Sequence, residues 1–332
     1  MQRRITLGAI FLLFILAVGA IAVILLQRNS SGSTLRARPA DQTEIIAETE
    51  FSHYFSEASG FTWHHVEVGT GEPVLLLHGI PGAWYNWHDV MTELKDSYHL
   101  IAVDLKGLGL TDAPEGSSYN AETVAAELVA LMDSLGINRF ALVTHEWGSV
   151  IGSYLAGNFP DHVTHFIRLQ APLSDAAIAQ IATLRTLPQI GEQVLADSEG
   201  FVRRMYTGES SSFLMNNVPG PVVIQPIAED DVARIAVEFS YEGIPQTIIQ
   251  YYSDTSSDLR AEINRLAVTS TMPVLLLQAD SDPIQPFDFY IDSASAFPNA
   301  RLEAIVDSGH VPMLEQPVVL SERIDRFIKT SN

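Results

Sequence analysis

The chain has 332 residues, 47% hydrophobic and 18% charged, which suits the core of one large domain, or of a domain with an insertion, and excludes a disordered chain. Its formal net charge is −21, with 40 acidic residues against 19 basic, so nucleic acids, anionic lipid surfaces and polyanionic substrates are poor partners. The absence of Cys removes disulfides, zinc–thiolate sites and thiol nucleophiles, and leaves the redox compartment open.

The first element is apolar. Ile5 to Leu26 runs 22 residues without a charge. At ~1.5 Å per residue that is about 33 Å, enough to cross a hydrocarbon core of roughly 30 Å. A secretory signal has an apolar region of only about 7–15 residues. Ala20 and Ala22 do form a small-x-small site, but apolar residues continue past it, so residues 1–27 are expected to be a retained anchor with the lipid bilayer as partner. Arg3 and Arg4 face Arg28, Arg36 and Arg38 across the span, a near balance, and the rest of the chain is expected outside the cytoplasm. Residues 28–50 are polar, carry Ser, Gly and Pro and lack apolar periodicity; they read as a linker, with the folded part beginning near Phe51.

From there strand and helix signals alternate. Pro73–Gly79, His99–Asp104, Arg139–Thr144 and Pro273–Asp280 each contain a short apolar run of buried-strand length. Asn120 can cap a helix in which Val124, Leu128, Leu131, Met132 and Leu135 share one face before Gly136 ends it. Leu320, Ile324, Phe327 and Ile328 repeat that spacing in the last helix. Such alternation predicts a mostly parallel sheet covered on both faces. It lapses over residues 173–268, where helical patches occur without clear strands. The expected organisation is therefore a core of residues 51–172 and 269–332 with a helical cap, residues 173–268, shaping the substrate pocket.

Five stretches, "LLLHGIPGAWYNWHDV", "VDLKGLGLTDAP", "LVTHEWGSVIG", "LQADSDPI" and "DSGHVPMLEQP", follow one another in the order and spacing of a known superfamily. The chain resembles the α/β-hydrolases, and within them the epoxide hydrolases and haloalkane dehalogenases. The resemblance implies an α/β-hydrolase fold, a mostly parallel central sheet with helices on both faces and an inserted helical cap.

The chemistry centres on Glu146. It occupies the middle of a strand-to-helix elbow whose flanks must be small, as Thr144 and Gly148 are. A helix N-terminus there favours negative charge. The Trp147 and Ile80 backbone N–H groups would form the oxyanion hole. The resemblance makes His310 the catalytic histidine and Asp282, rather than Asp280, its orienting acid, and implies a cis peptide at Ile80–Pro81. In the epoxide hydrolases and dehalogenases the nucleophile is Asp, which forms an alkyl-enzyme ester that a His–Asp activated water hydrolyses. Glu adds one methylene and moves the carboxylate by roughly 1.5 Å, where about 1 Å can change a rate 100-fold. Glu146 thus has three open roles: the same attack, general base or electrostatic work in another reaction, or membership of a catalytically silent, ligand-binding site.

Family epoxide hydrolases use two cap tyrosines as proton donors. The resemblance places Tyr252 in that role with Tyr251 beside it among the substrate-binding residues; Tyr206 and Tyr241 are candidates for the second. Trp147 fits both branches and also lines the substrate. Ile80 stands where many dehalogenases have Asn, so epoxide hydrolysis of a small apolar substrate is the leading reading, with dehalogenase-like or ester hydrolysis as alternatives. His64 and His65 point to opposite faces of one strand, His162 and His165 have no third ligand, and His145 resembles a structural elbow histidine. No metal and no organic cofactor are expected.

Overall fold

A computed structural model describes residues 42–171, 178, 182, 196–207, 222–294 and 296–331. The expected membrane anchor, and the expected linker as far as residue 41, lie outside these. Among the described residues no helix is long and apolar enough to cross a membrane.

Nine strands form one sheet in the order β1-β2-β3-β5-β4-β6-β7-β8-β9. They are β1 (Thr43–Ile46), β2 (Thr49–Ala58), β3 (Phe61–Val68), β4 (Glu72–Leu77), β5 (Tyr98–Val103), β6 (Phe140–His145), β7 (Val163–Leu169), β8 (Val274–Ala279) and β9 (Ala300–Ile305). The pairs β1–β2, β2–β3 and β3–β5 are antiparallel, and all pairs from β5 to β9 are parallel. Every residue of β6 and β8 is buried. Because successive side chains point to opposite faces, such strands must be covered on both, which is why most of each reads as an apolar run.

The core helices are α1 (His88–Leu94), preceded by a 3₁₀ turn at Trp84–Trp87, α2 (Ala121–Ser134) and α3 (Trp147–Asn158). Near the C-terminus lie a one-turn helix at Pro312–Glu315 and the long helix Pro317–Thr330. The Asn120 side chain accepts from Glu122 N at 2.9 Å at the start of α2, and Gly136 follows its end with φ 75°, the left-handed conformation a C-terminal glycine relieves. The last helix buries Leu320, Ile324, Phe327 and Ile328 against the core.

Between β7 and β8 the described chain holds α4 (Ser198–Tyr206), α5 (Glu229–Phe239), α6 (Ile244–Asp254) and α7 (Leu259–Thr269), and among the described residues no strand. A further short helix, α8 (Phe287–Ala294), precedes β9.

The expected linker is too long. Thr43–Ile46 already pairs with Thr49–Ser52, so the described sheet begins before Phe51. The two-residue turn between them, Ala47 and Glu48, has φ 46° and 67°. A hairpin turn with positive φ at both central residues usually announces itself by Gly or Asn, and here the composition is silent.

Asp104 joins the sheet to the loop after β4. Its Oδ1 accepts from Trp84 N at 2.7 Å, and its Oδ2 accepts from Leu110 N at 2.8 Å and His64 Nδ1 at 2.7 Å. Burial pushes its carboxyl up, but His64 and these donors hold it below the ordinary value.

Gly148 has no room for a side chain. A Cβ there would collide with the carbonyl oxygens of Leu77 and, at 2.6 Å, His78. These are backbone atoms of a central strand and cannot move aside. Gly148→Ala should therefore destabilise the fold by about 2–3 kcal/mol in urea titration, and an unchanged midpoint would contradict this packing.

Candidate active site

The elbow is tight. β6 ends at His145, α3 begins at Trp147, and Glu146 between them has φ 51° and ψ −114°. A non-glycine residue in such a region stores on the order of 1–3 kcal/mol, so the surroundings must enforce it. The enforcing contacts are short. Gly148 N donates to His78 O at 3.1 Å, and a Cβ on Gly79 would lie 2.5 Å from the Glu146 Cβ.

The side chain of Glu146 turns back into this pocket. Its Oε2 accepts from Ile80 N at 2.9 Å and from Trp147 N at 2.5 Å. The two N–H groups expected to form an oxyanion hole thus hold one oxygen of the carboxylate. No Lys or Arg among the described residues pairs with Glu146. At 7% exposure, burial dominates and pushes its pKa up to about 7, against the pull of His310 and of the two N–H donors, with Asp282 adding to the rise.

His310 follows β9 on the turn before the one-turn helix Pro312–Glu315. Its Nδ1–H donates to Asp282 Oδ2 at 2.9 Å, leaving Nε2 free to take a proton. Asp282 fills a second role with its other oxygen, which accepts from Ile284 N at 2.8 Å and Gln285 N at 3.2 Å. Asp280 is exposed. Burial works against a charged His310, but Asp282, Glu146 and Glu315 together raise its pKa above the ordinary value. His145 Nε2–H donates to His310 O at 2.7 Å, the structural role expected for it.

Glu315 escaped the sequence reading. Its Oε2 accepts from Gly309 N at 3.0 Å, Ile224 N at 2.7 Å and Gln225 N at 3.0 Å, and its Oε1 from Val311 N at 3.1 Å. Both neighbours of His310 and a segment leading into α5 therefore hang on one carboxylate. His310 N donates to Val222 O at 2.8 Å beside it. The signal was present in "GHVPMLEQP", five residues beyond the histidine.

The tyrosines separate by their hydroxyls. Tyr252 packs edge-on against Trp147, ring centroids 5.1 Å apart, and is near enough to Glu146 that the carboxylate, after burial, raises its pKa. Tyr251 is turned elsewhere, its hydroxyl donating to Lys106 O at 3.0 Å and its ring set edge-on to Tyr119. Tyr206 donates to Pro81 O at 2.9 Å and accepts from Asn86 Nδ2 at 3.1 Å, so it braces the cis Ile80–Pro81 loop from the end of α4. Tyr241 lies half-buried against the core at the turn between α5 and α6. Of the histidines weighed as ligands, three pair singly with acids, His64 with Asp104 at 2.7 Å, His65 with Glu67 at 3.0 Å and His162 with Asp133 at 3.4 Å, while the Nδ1 of His165 meets the neighbouring Thr164 hydroxyl at 3.2 Å.

Elbow, oxyanion donors and His–Asp pair stand beyond the carboxyl ends of parallel strands of one sheet, and the profile of the alpha/beta hydrolase fold family matches residues 72–317. The chain belongs to the α/β-hydrolase family. This α/β-hydrolase is 28% identical over 303 residues to epoxide hydrolase 3 of Siraitia grosvenorii, an alignment covering 82% of this chain and 92% of that protein. It is 22% identical over 311 residues to mouse bifunctional epoxide hydrolase 2, covering 85% of this chain but 56% of that longer protein. Among solved structures, epoxide hydrolase VrEH1 from Vigna radiata superposes with a TM-score of 0.66 at 28% identity, over 84% of this chain and 98% of that one.

The raised Glu146 has a consequence for stability. Its pKa climbs from 4.5 to about 7 on folding, so the folded state holds the proton more tightly. The associated stability is fully present below pH 4.5 and declines by about 3 kcal/mol as pH rises past 7. Glu146→Gln removes that decline. Denaturant titrations near pH 4 and pH 8 should show the variant gaining about 3 kcal/mol on wild type between them, and parallel pH dependences would refute the buried, proton-binding carboxylate.

Proposed function

We propose that this α/β-hydrolase opens a small apolar epoxide through Glu146 and releases the diol with a water activated by His310 and Asp282. The observation carrying this reading is the position of Glu146 Oε2 between Ile80 N and Trp147 N. One oxygen is anchored where the oxyanion of the later step must sit, which leaves Oε1 to attack despite the extra methylene. The epoxide hydrolase relatives support the substrate class.

The first step forms an ester bond between Glu146 Oε1 and an epoxide carbon while the ring C–O bond breaks. The departing alkoxide takes the Tyr252 proton. Water then loses a proton to His310 Nε2 and adds to the ester carbonyl carbon. The electron pair displaced onto Oε2 is held by the same two N–H groups, and Asp282 stabilises the imidazolium. Collapse expels the diol oxygen, and protons return to Tyr252 and to the product. The neighbouring Tyr206 and Tyr251 hydroxyls are committed to backbone carbonyls, so Tyr252 is the proton donor in this scheme.

The 22-residue apolar run supports the further reading that the enzyme is anchored in a membrane with its catalytic domain outside the cytoplasm, testable by carbonate extraction and protease protection.

His310→Gln should stall the second step. Incubated with an epoxide panel, the variant is expected to gain the mass of one epoxide on the peptide containing Glu146. The unmodified protein should turn the same compounds over. Tyr252→Phe should slow ester formation by about 10²–10⁴-fold. Absence of both adduct and turnover across the panel would favour a ligand-binding protein on this scaffold.

Ester formation also needs ionised Glu146, and ester hydrolysis needs neutral His310. Single-turnover ester formation should therefore rise with pH through about 7, the value to which burial moves Glu146. A flat profile between pH 5 and 8 would exclude Glu146 as the attacking group.

A further inference from the structure

Away from these residues, His88, Asp89 and Asp231 bring ligating atoms within 4.8 Å of one another, where α1 of the core meets α5 of the cap. His88 Nε2 lies 3.3 Å from Asp89 Oδ1 and 3.7 Å from Asp231 Oδ1. His88 is only 3% exposed, and its Nδ1 lies 2.8 Å from Tyr85 O, to which it donates. That bond orients the ring and turns Nε2 toward both carboxylate oxygens, with which a protonated ring forms ion pairs. Two carboxylates at one imidazole nitrogen call for a positive centre, which is either a proton on Nε2 or a cation in its place.

Neighbouring Lys and Arg side chains do not supply it. Arg234, whose guanidinium lies 5.0 Å over the Tyr85 ring, is taken up by Glu44 and Glu238. No Lys or Arg among the described residues pairs with Asp89 or Asp231. The outer contacts are those of a metal site. A histidine ligand characteristically donates its second N–H to a carbonyl, and ligating carboxylates are themselves hydrogen-bonded. Tyr85 does both: its carbonyl orients His88, its hydroxyl donates to Asp231 Oδ1 at 2.9 Å, and its ring stacks on the imidazole at 4.3 Å. The spacing agrees as well. Zinc bonds of about 2.0–2.2 Å to nitrogen and oxygen give a tetrahedral edge of about 3.4 Å, between the two distances observed.

We propose that His88 Nε2, Asp89 Oδ1 and Asp231 Oδ1 bind one divalent transition-metal cation of the zinc type, water completing its shell, and that this ion ties cap helix α5 to core helix α1. One imidazole and two carboxylates suit such ions better than Mg²⁺, which prefers an all-oxygen octahedron. The site is structural, set apart from Glu146 and His310, and the hydrolysis scheme does not depend on it. His88 stands apart from His64, His65, His162 and His165, the histidines whose spacing in the sequence suggests no metal site, and its partner Asp231 lies far along the chain in α5.

The test is calorimetric titration of the full-length, chelator-stripped chain with Zn²⁺ in excess Mg²⁺, beside Asp89→Asn and Asp231→Asn. The expected result is one saturable site per chain and a higher Tm with Zn²⁺. Each variant should bind at least about tenfold more weakly and lose the Tm rise. Asp89 is partly exposed, so its variant should fold and keep the comparison valid. No saturable binding, or binding equal in wild type and both variants, overturns the proposal.

Discussion

The structure turns on one carboxylate oxygen held by two backbone N–H groups from different parts of the chain. Ile80 belongs to the loop after β4, and Trp147 opens α3 after β6. They meet because β4 and β6 are parallel neighbours with Leu77 opposite Thr144, which sets the two carboxyl ends side by side. Nothing local to either segment would bring the two donors to one point. The positive φ at Glu146, the missing side chains at Gly79 and Gly148 and the cis peptide at Ile80–Pro81 are all features of this single junction.

Three acids crowd one imidazole around that junction, and each is stabilised chiefly by backbone. Glu146 takes two N–H donors, Asp282 two and Glu315 four. Charge-assisted bonds of this kind offset part of the desolvation of a buried carboxylate without a balancing Lys or Arg. For Glu146 the offset is incomplete, and the carboxyl remains near neutrality in its titration. For Glu315 the larger set of donors doubles as a clamp on Gly309 and Val311, so the same acid that adds to the field on His310 also fixes its backbone. The segment between β7 and β8 enters this arrangement twice: through Ile224 and Gln225 on Glu315, and through Tyr206 on Pro81.

Much of the fold was legible. Strands buried on both faces, β6 and β8 among them, are apolar over most of their length and stand out for it, and Asn120 and Gly136 mark the ends of α2 by capping chemistry. Glu146, Asp282 and His310 could be picked out because each lies in a motif. The first strand was missed because its turn uses Ala47 and Glu48 instead of turn formers. Tyr251 and Tyr252 are adjacent in one helix, and in the sequence only the family resemblance tells them apart. One residue along a helix is about 100° of rotation, which sends one hydroxyl to Lys106 and the other side chain toward Trp147.

The sequence by itself determined what depends on neighbours along the chain: the alternation of strands and helices, the elbow, the helical stretch between two strands and the apolar run at the start. Tertiary structure alone decided which oxygen of Glu146 meets which N–H, how far its proton affinity rises, which tyrosine faces it, and that His88 and Asp231 share a corner. The reason is physical. Hydrogen bonding within a segment and the period of its apolar side chains are local quantities, whereas desolvation and electrostatic coupling depend on every group that packing brings within a few ångströms, however distant in the chain.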